Sequence, residues 1–146
     1  MQGVILGNMD MEANWQDVLS LAISAILGSI IGYERHIHDK PAGLRTNALI
    51  CLGSCVFTII STSLPGSEPG RIAAQVVTGI GFLGAGAIIQ SSGGVHGLTT
   101  AAGIWIVAAI GMACGAKMYF VALIATAVTL AVLILLPPIE KKFGNK

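Results

Sequence analysis

The sequence predicts an all-α integral membrane protein, a single transmembrane domain built as a bundle of five helices, and three observations carry that prediction. The first is composition: of 146 residues, 54% are hydrophobic and 10% charged, and the mean hydropathy is +0.82, well outside the range of an ordinary soluble domain. The second is the arrangement of the apolar residues in five runs near the length of about 20 residues that carries a helix across a hydrocarbon core about 30 Å thick. The third is that Lys and Arg fall at the ends of these runs or between them, as topology-setting charges do.

The first run, about 15–33, begins at Trp15 and ends at Tyr33, aromatic residues suited to the two membrane interfaces. Along it Ser24, Gly28 and Gly32 recur every four residues, so one helix face is smooth and another backbone can approach it closely. The second run, about 44–64, is closed by Pro65 and Gly66. A polar SEPGR leads into the third, about 72–90, whose stretch GIGFLGAGAIIQ from Gly79 to Gln90 holds four glycines. In water each would cost roughly 1 kcal/mol relative to alanine; in lipid a segment must satisfy its own backbone, and a missing side chain admits a neighbour. Gly79 and Gly86 fall on one side, Gly81, Gly84 and Ala85 on the other. This predicts a central helix with close neighbours on two sides, from its own chain or a second subunit. A break near Gly81 to Gly84 that turns carbonyls toward a cavity is the alternative. SSGGVHG reads as a flexible turn. The fourth run, about 98–116, carries Gly111 and Gly115 four apart, and Lys117 separates it from the fifth, 118–136, which Pro137 and Pro138 are expected to terminate.

Orientation follows from the bases. With the N-terminus outside, Arg35, Lys40, Arg45, Lys141, Lys142 and Lys146 are cytoplasmic and only Arg71 and Lys117 lie outside. Asp10, Glu12 and Asp17 at the start agree with export of that end. A four-helix arrangement would place the lysine-bearing tail outside and ranks second. The opening residues put no base ahead of a hydrophobic run, so no signal peptide is expected. An internal echo runs through the chain: LGSII, a loop and GLRTNAL from Gly43, then LGAGA, a loop and GLTTAAG from Gly97. It is compatible with a tandem two-helix repeat about an axis along the membrane normal, with the fifth helix as an addition.

Several function classes are excluded. A net charge of +1 without a basic patch gives nothing to track nucleic-acid phosphates. Gly79, Gly81 and Gly84 spell G-x-G-x-x-G, but no acid stands about 20 residues on, since the next after Glu68 is Glu140. No nucleophile–base pair or P-loop can be assembled, so neither an enzyme nor a cofactor is expected. Cys51 and Cys55, four apart on one helix face, read as packing residues.

Every charged residue lies at the end of a run or in a connection. At the cytoplasmic face Glu34, Arg35, Arg45, Thr46, Thr99 and Thr100 form a candidate polar cluster. Toward the outer end Arg71 and Gln75 complete the set of candidate functional residues. The cluster suits topology and headgroup anchoring, or else a pocket for a hydrated cation or a phosphate. His36, His38 and His96 specify a metal site too poorly for one to be assigned.

Taken together, GYER, AGLRTNALICLGS, RIAAQVVTGIGFLGAG and GLTTAAGIW resemble the MgtC/SapB family of bacterial inner-membrane proteins, from about Leu27 to the fifth helix. The resemblance implies a multi-pass inner-membrane protein tied to growth at low magnesium and, in pathogens, to survival inside host cells. For the namesake branch it implies a regulator of other membrane machinery, ATP synthase included. It points to Glu34, Arg35, Gly43, Arg45, Thr46, Arg71, Gln75, Gly79, Gly81, Gly84, Gly86, Gly97, Thr99, Thr100 and Trp105. Two departures weaken a metal-binding role: His36 stands where the family often has an acid, and Glu68-Pro69 where it has Asp-Pro. Longer members continue into a soluble C-terminal domain, whereas this chain ends ten residues after Leu136.

The expectation is therefore a small regulatory or interaction protein linked to magnesium homeostasis or membrane energetics. Gly28, Gly32, Gly79, Gly81, Gly84 and Gly86 would serve helix packing. The expected partners are the bilayer, a second copy in a homodimer and other inner-membrane proteins. The alternative is a transporter or channel for Mg²⁺ or another cation.

Overall fold

Among apolar helices in lipid, side-chain size decides which surfaces meet, because the surrounding tails are as apolar as the core. A computed structural model describes residues 15–64, 68–91 and 94–143. These form α1 (Trp15–Ile37), α2 (Leu44–Ser63), α3 (Pro69–Gly86), β1 (Ile89–Ser91), β2 (Gly94–His96), α4 (Leu98–Gly115) and α5 (Tyr119–Phe143).

The tightest approaches between helices are made by four glycines around α2. A Cβ on Gly28 would lie 2.6 Å from Cys51 Cβ and 2.8 Å from the Asn47 carbonyl oxygen, and one on Gly32 would lie 2.8 Å from Leu44 Cα. Thus α1 and α2 form an antiparallel hairpin in near backbone contact. On the other flank, a Cβ on Gly111 would collide with the Cys51 carbonyl, and one on Gly115 would lie 2.6 Å from that of Cys55. The order of these contacts makes α4 parallel to α2. Leu27, Ile31, Cys51, Cys55, Ile104, Val107, Ile110 and Cys114 fill the space where α1, α2 and α4 meet.

The remaining helices extend this three-helix core. Gly84 faces Ala101, with 3.7 Å between an added Cβ and the alanine Cβ, and Val77 and Ile80 line a small cleft with Trp105 and Met112, so α3 runs antiparallel along α4. At the start of α5 the Tyr119 hydroxyl lies 2.8 Å from Ser20 Oγ, and Lys117 Nζ lies 3.1 Å from Asp17 Oδ1, which sets α5 parallel to α1. Successive helices therefore alternate in direction. One end of the bundle gathers Asp17, Glu68, Arg71 and Lys117; the other gathers Glu34, Arg35, Arg45, Thr100 and Lys142.

The hairpin echo has a counterpart in the contacts. Gly28 touches Asn47 and Gly84 touches Ala101, and each partner stands four residues beyond the glycine that opens its helix, Gly43 or Gly97.

Four helices, α1, α2, α4 and Tyr119–Glu140 of α5, are long and apolar enough to cross a membrane. The third run differs from its reading in three ways. It begins at Pro69 and ends at Gly86, without a break at Gly81 to Gly84. Its last residues leave the helix for a hairpin in which Ile89 pairs with His96, Gln90 with Val95 and Ser91 with Gly94, so Ser91 and Gly94–His96 of SSGGVHG are strand, while Ser92 and Gly93, where the expected flexible turn is centred, lie outside the described residues. Gly97, with φ +90°, closes this hairpin against the Ala87 carbonyl, where a Cβ would collide. And α3 is an edge helix, not a central one: among the described residues nothing comes within 4 Å of a Cβ added at Gly79, Gly81 or Gly86.

Two further boundaries move. The first helix continues past Tyr33 to Ile37, because Glu34 and Arg35 are buried, and Asp39, with φ 53°, then ends it in the left-handed conformation that Asp tolerates. The fifth passes through Pro137 and Pro138 to Phe143. Proline's fixed φ is helical, and the carbonyls it leaves unpaired lie close to the polar end that carries Glu140 and Lys142.

Substitution at the tight glycines is expected to separate them from the open ones. Gly111→Val should lower stability by about 2 kcal/mol through overpacking, whereas Gly81→Ala and Gly86→Ala should leave the thermal midpoint in detergent unchanged or raised. Equal losses at both kinds of site would mean that α3 is tightly covered in the folded protein.

Candidate functional site

The buried polar chemistry gathers at the end of the bundle where α1 finishes and α2 and α4 begin. The glycine contacts set a stagger there. Gly111 lies thirteen residues into α4 and meets Cys51, seven residues into α2; the N-terminus of α4 thus projects beyond that of α2 by six residues, about 9 Å. The first turn of α4 is consequently level with the last turn of α1. Three buried polar residues stand at this level: Glu34 and Arg35 at 6% exposure each and Thr100 at 5%.

Glu34 and Arg35 are sequence neighbours, and Arg35 Nη1 lies 3.5 Å from Glu34 Oε2. His38, one turn on, places Nδ1 3.1 Å from Glu34 Oε1 and 2.8 Å from the Glu34 carbonyl oxygen. The acid is thus flanked by one permanent and one titratable base. Among the described residues Glu34 Oε2 and Arg35 Nε are buried without a hydrogen-bond partner. Such a pair is tolerated because each charge neutralises the other, and removing either partner would strand the one left.

The helix starts nearby are open. Both α2 and α4 begin on glycine, Gly43 and Gly97, with no side-chain cap, so their first-turn N–H groups add positive partial charge to this end. Asn47, 1% exposed, donates from Nδ2 to the carbonyls of Ala42 at 2.7 Å and Gly43 at 2.9 Å. It ties the α1–α2 connection to α2 from inside. That buried amide was missed from sequence, although its place one turn after the glycine in AGLRTNAL was a usable signal. The His38 contact and the Ser20–Tyr119 bond, between residues 99 apart, left no sequence signal.

The eight candidate polar residues do not form one cluster. Glu34, Arg35 and Thr100 come together in the interior, while Arg45, Thr46 and Thr99 are exposed on the same end. Arg71 and Gln75 are separated from them because they sit in the first two turns of α3, at the opposite end, and both are exposed. His36, His38 and His96 likewise do not converge: among the described residues no group of three or more His, Cys, Asp or Glu is arranged to hold a metal ion.

The buried hydroxyls of the interior donate to their own helices. Ser20 donates to the Gln16 carbonyl at 2.9 Å, Ser24 to Leu21 at 2.9 Å and Thr126 to Ala122 at 2.8 Å. Ser24 and Thr126 are thus satisfied within their own helices, whereas Ser20 Oγ also bonds the Tyr119 hydroxyl of α5 at 2.8 Å.

A model of the MgtC family matches residues 21–142. The chain is 48% identical over 119 residues to Protein MgtC of Salmonella typhimurium strain LT2, covering 82% of this chain and 52% of that protein. To Protein MgtC of Brucella abortus strain 2308 it is 47% identical over 120 residues, covering 82% and 50%. It thus spans about half the length of the curated relatives it matches. No solved structure matches it.

The buried pair yields a measurable expectation. Arg35→Met should cost about 3 kcal/mol of stability in detergent by stranding Glu34, and the double variant with Glu34→Gln should recover much of it. His38→Ala, at an exposed ring, should cost less than about 1 kcal/mol. A double variant no more stable than Arg35→Met alone would show that Arg35 is held by contacts other than Glu34.

Proposed function

The chain belongs to the MgtC family, and from that premise we propose that it is a small multi-pass regulator of the bacterial inner membrane. In this reading it works by helix contact with other membrane proteins and is linked to magnesium homeostasis or membrane energetics. The end that carries Arg35, Arg45 and Lys142 is read as cytoplasmic, in keeping with the excess of bases there.

The observation that carries the reading is how the helices are used. Where α1, α2 and α4 meet, glycines lie against backbone at Cys51, Cys55 and Leu44, and the hydroxyls turn back on their own carbonyls. The interior is closed by contact and does not offer a ladder of ligands to a moving ion. Outward the chain is generous: Phe82, Phe120, Leu123 and Val128 are more than half exposed, as are smooth stretches of α3 around Gly79 and Gly81. Such surfaces suit lateral contact with lipid and with other helices, including a second copy of the chain.

The rival reading, a transporter or channel for Mg²⁺ or another cation, draws on Glu34 Oε2, which is buried and accepts no hydrogen bond among the described residues, although Arg35 Nη1 lies 3.5 Å from it. Two measurements separate the readings. Purified protein in liposomes under a Mg²⁺ gradient should hold the gradient, while deletion in cells should shift membrane potential or ATP level and crosslinking should recover a membrane partner. Ion flux that is abolished by Glu34→Gln would reverse the conclusion in favour of transport.

A further inference from the structure

We propose that the outer flank of the α1–α2 hairpin is a binding site for one anionic phospholipid, with an acyl chain in the groove beside α1 and the phosphate on Arg45 at its mouth.

The groove, about 470 Å³, is lined by Ala25, Ile26, Ser29, Ile30 and Tyr33 of α1 and by Leu44 of α2. It follows from the hairpin geometry. Gly32 brings α1 within 2.8 Å of Leu44, measured from a Cβ added at the glycine, so the two helices leave no room between them and the groove forms along their shared outer edge. Ala25 and Ser29, four apart, make its floor because they are small. Ile26, Ile30 and Tyr33, at 57%, 44% and 60% exposure, make its wall. The opposite side of α1, with Ser20, Ser24, Leu27 and Ile31, is buried, so the groove opens away from the bundle interior and onto the bilayer.

One end of the groove is apolar and the other is not. Leu44 is the first residue of α2, and the next residue, Arg45, turns about 100° from it, away from the buried side marked by Asn47 and Ile50. Arg45 is exposed and stands on the groove's flank at the uncapped N-terminus of α2, where partial positive charge favours a phosphate oxygen. Lys40, also exposed, lies in the connection between the helices and outweighs, together with Arg45, the single exposed acid there, Asp39. Tyr33 supplies a phenol at the level where aromatic residues meet headgroups. An apolar slot that ends in two bases, a phenol and a helix N-terminus is complementary to an acyl chain joined to an anionic phosphate. It is less suited to a neutral helix, which would leave the bases unused. The inference does not depend on whether the protein regulates or transports.

The test is native mass spectrometry of the full chain released from detergent, titrated with phosphatidylglycerol and, in parallel, with phosphatidylcholine of the same acyl chains. A third arm adds inorganic phosphate. One phosphatidylglycerol should be retained in preference to phosphatidylcholine, and inorganic phosphate should not displace it. Arg45→Gln should weaken retention about fivefold, as expected for one basic contact to an anionic lipid, and Ser29→Phe, which fills the groove, should weaken it as well. Leu123→Phe and Lys142→Gln on α5 should change nothing. Arg45 is exposed, so its variant keeps the test sound even where Ser29→Phe disturbs folding. Equal retention of the two lipids, or retention indifferent to Arg45→Gln, overturns the proposal. Displacement by inorganic phosphate assigns the site to a free anion, and a dimer lost in Ser29→Phe with lipid binding intact assigns the groove to a second copy; either result overturns it too.

Discussion

The approach of the α2 backbone to glycines on both its neighbours is the constraint from which the rest of the bundle follows. Cys51 is met by Gly28 from α1 and by Gly111 from α4, so α2 is held at backbone distance on two sides at the same level. In lipid, where exclusion of water contributes nothing to helix association, this close fit supplies van der Waals contact that larger side chains would prevent. Three small thiols, Cys51, Cys55 and Cys114, fill what space remains and are fully buried.

That fit also fixes the stagger of α4 against α2, and the stagger creates the polar end. Because α4 projects beyond α2, one side of the last turn of α1 is covered, and Glu34 and Arg35 are taken out of solvent as a pair while His36 and Ile37 stay exposed. A charge so placed is costly unless matched, which is why an acid, a base and an imidazole lie within one turn of each other. The openness of the α4 start follows from the same demand for tightness: glycine at Gly97 allows the hairpin to fold against Ala87, where a side chain able to cap the helix would not fit.

Outside the three-helix core the rules relax. Of the glycines of the third helix only Gly84 lies against a described neighbour, and α5 shows most of its surface to the bilayer, anchored chiefly by Ala122, Thr126, Thr129 and Leu133 along one stripe and by Tyr119 at its start. The molecule is therefore dense on one side of α2 and α4 and open on the others. The groove beside α1 lies on the same open periphery.

The sequence by itself determined the class, the number of helices, their approximate spans and the family, because lipid imposes a length, a polarity and a charge bias that are local properties of each segment. It also marked Gly28 and Gly32 as smooth surface. It could not say which smooth surface is covered: the glycines of Gly79 to Gly86 carry the stronger pattern, yet only Gly84 meets a neighbour, while Gly111 and Gly115 carry a weaker one and touch backbone. Nor could it tell that Glu34, Arg35 and Thr100 are buried while Arg45, Thr46 and Thr99 are exposed, or carry a helix through Pro137 and Pro138. Those outcomes rest on which helix lies beside which and at what stagger, and that depends on contacts between residues far apart in the chain. Only the tertiary structure decided them, because a glycine is equally smooth whether another backbone or a lipid lies against it.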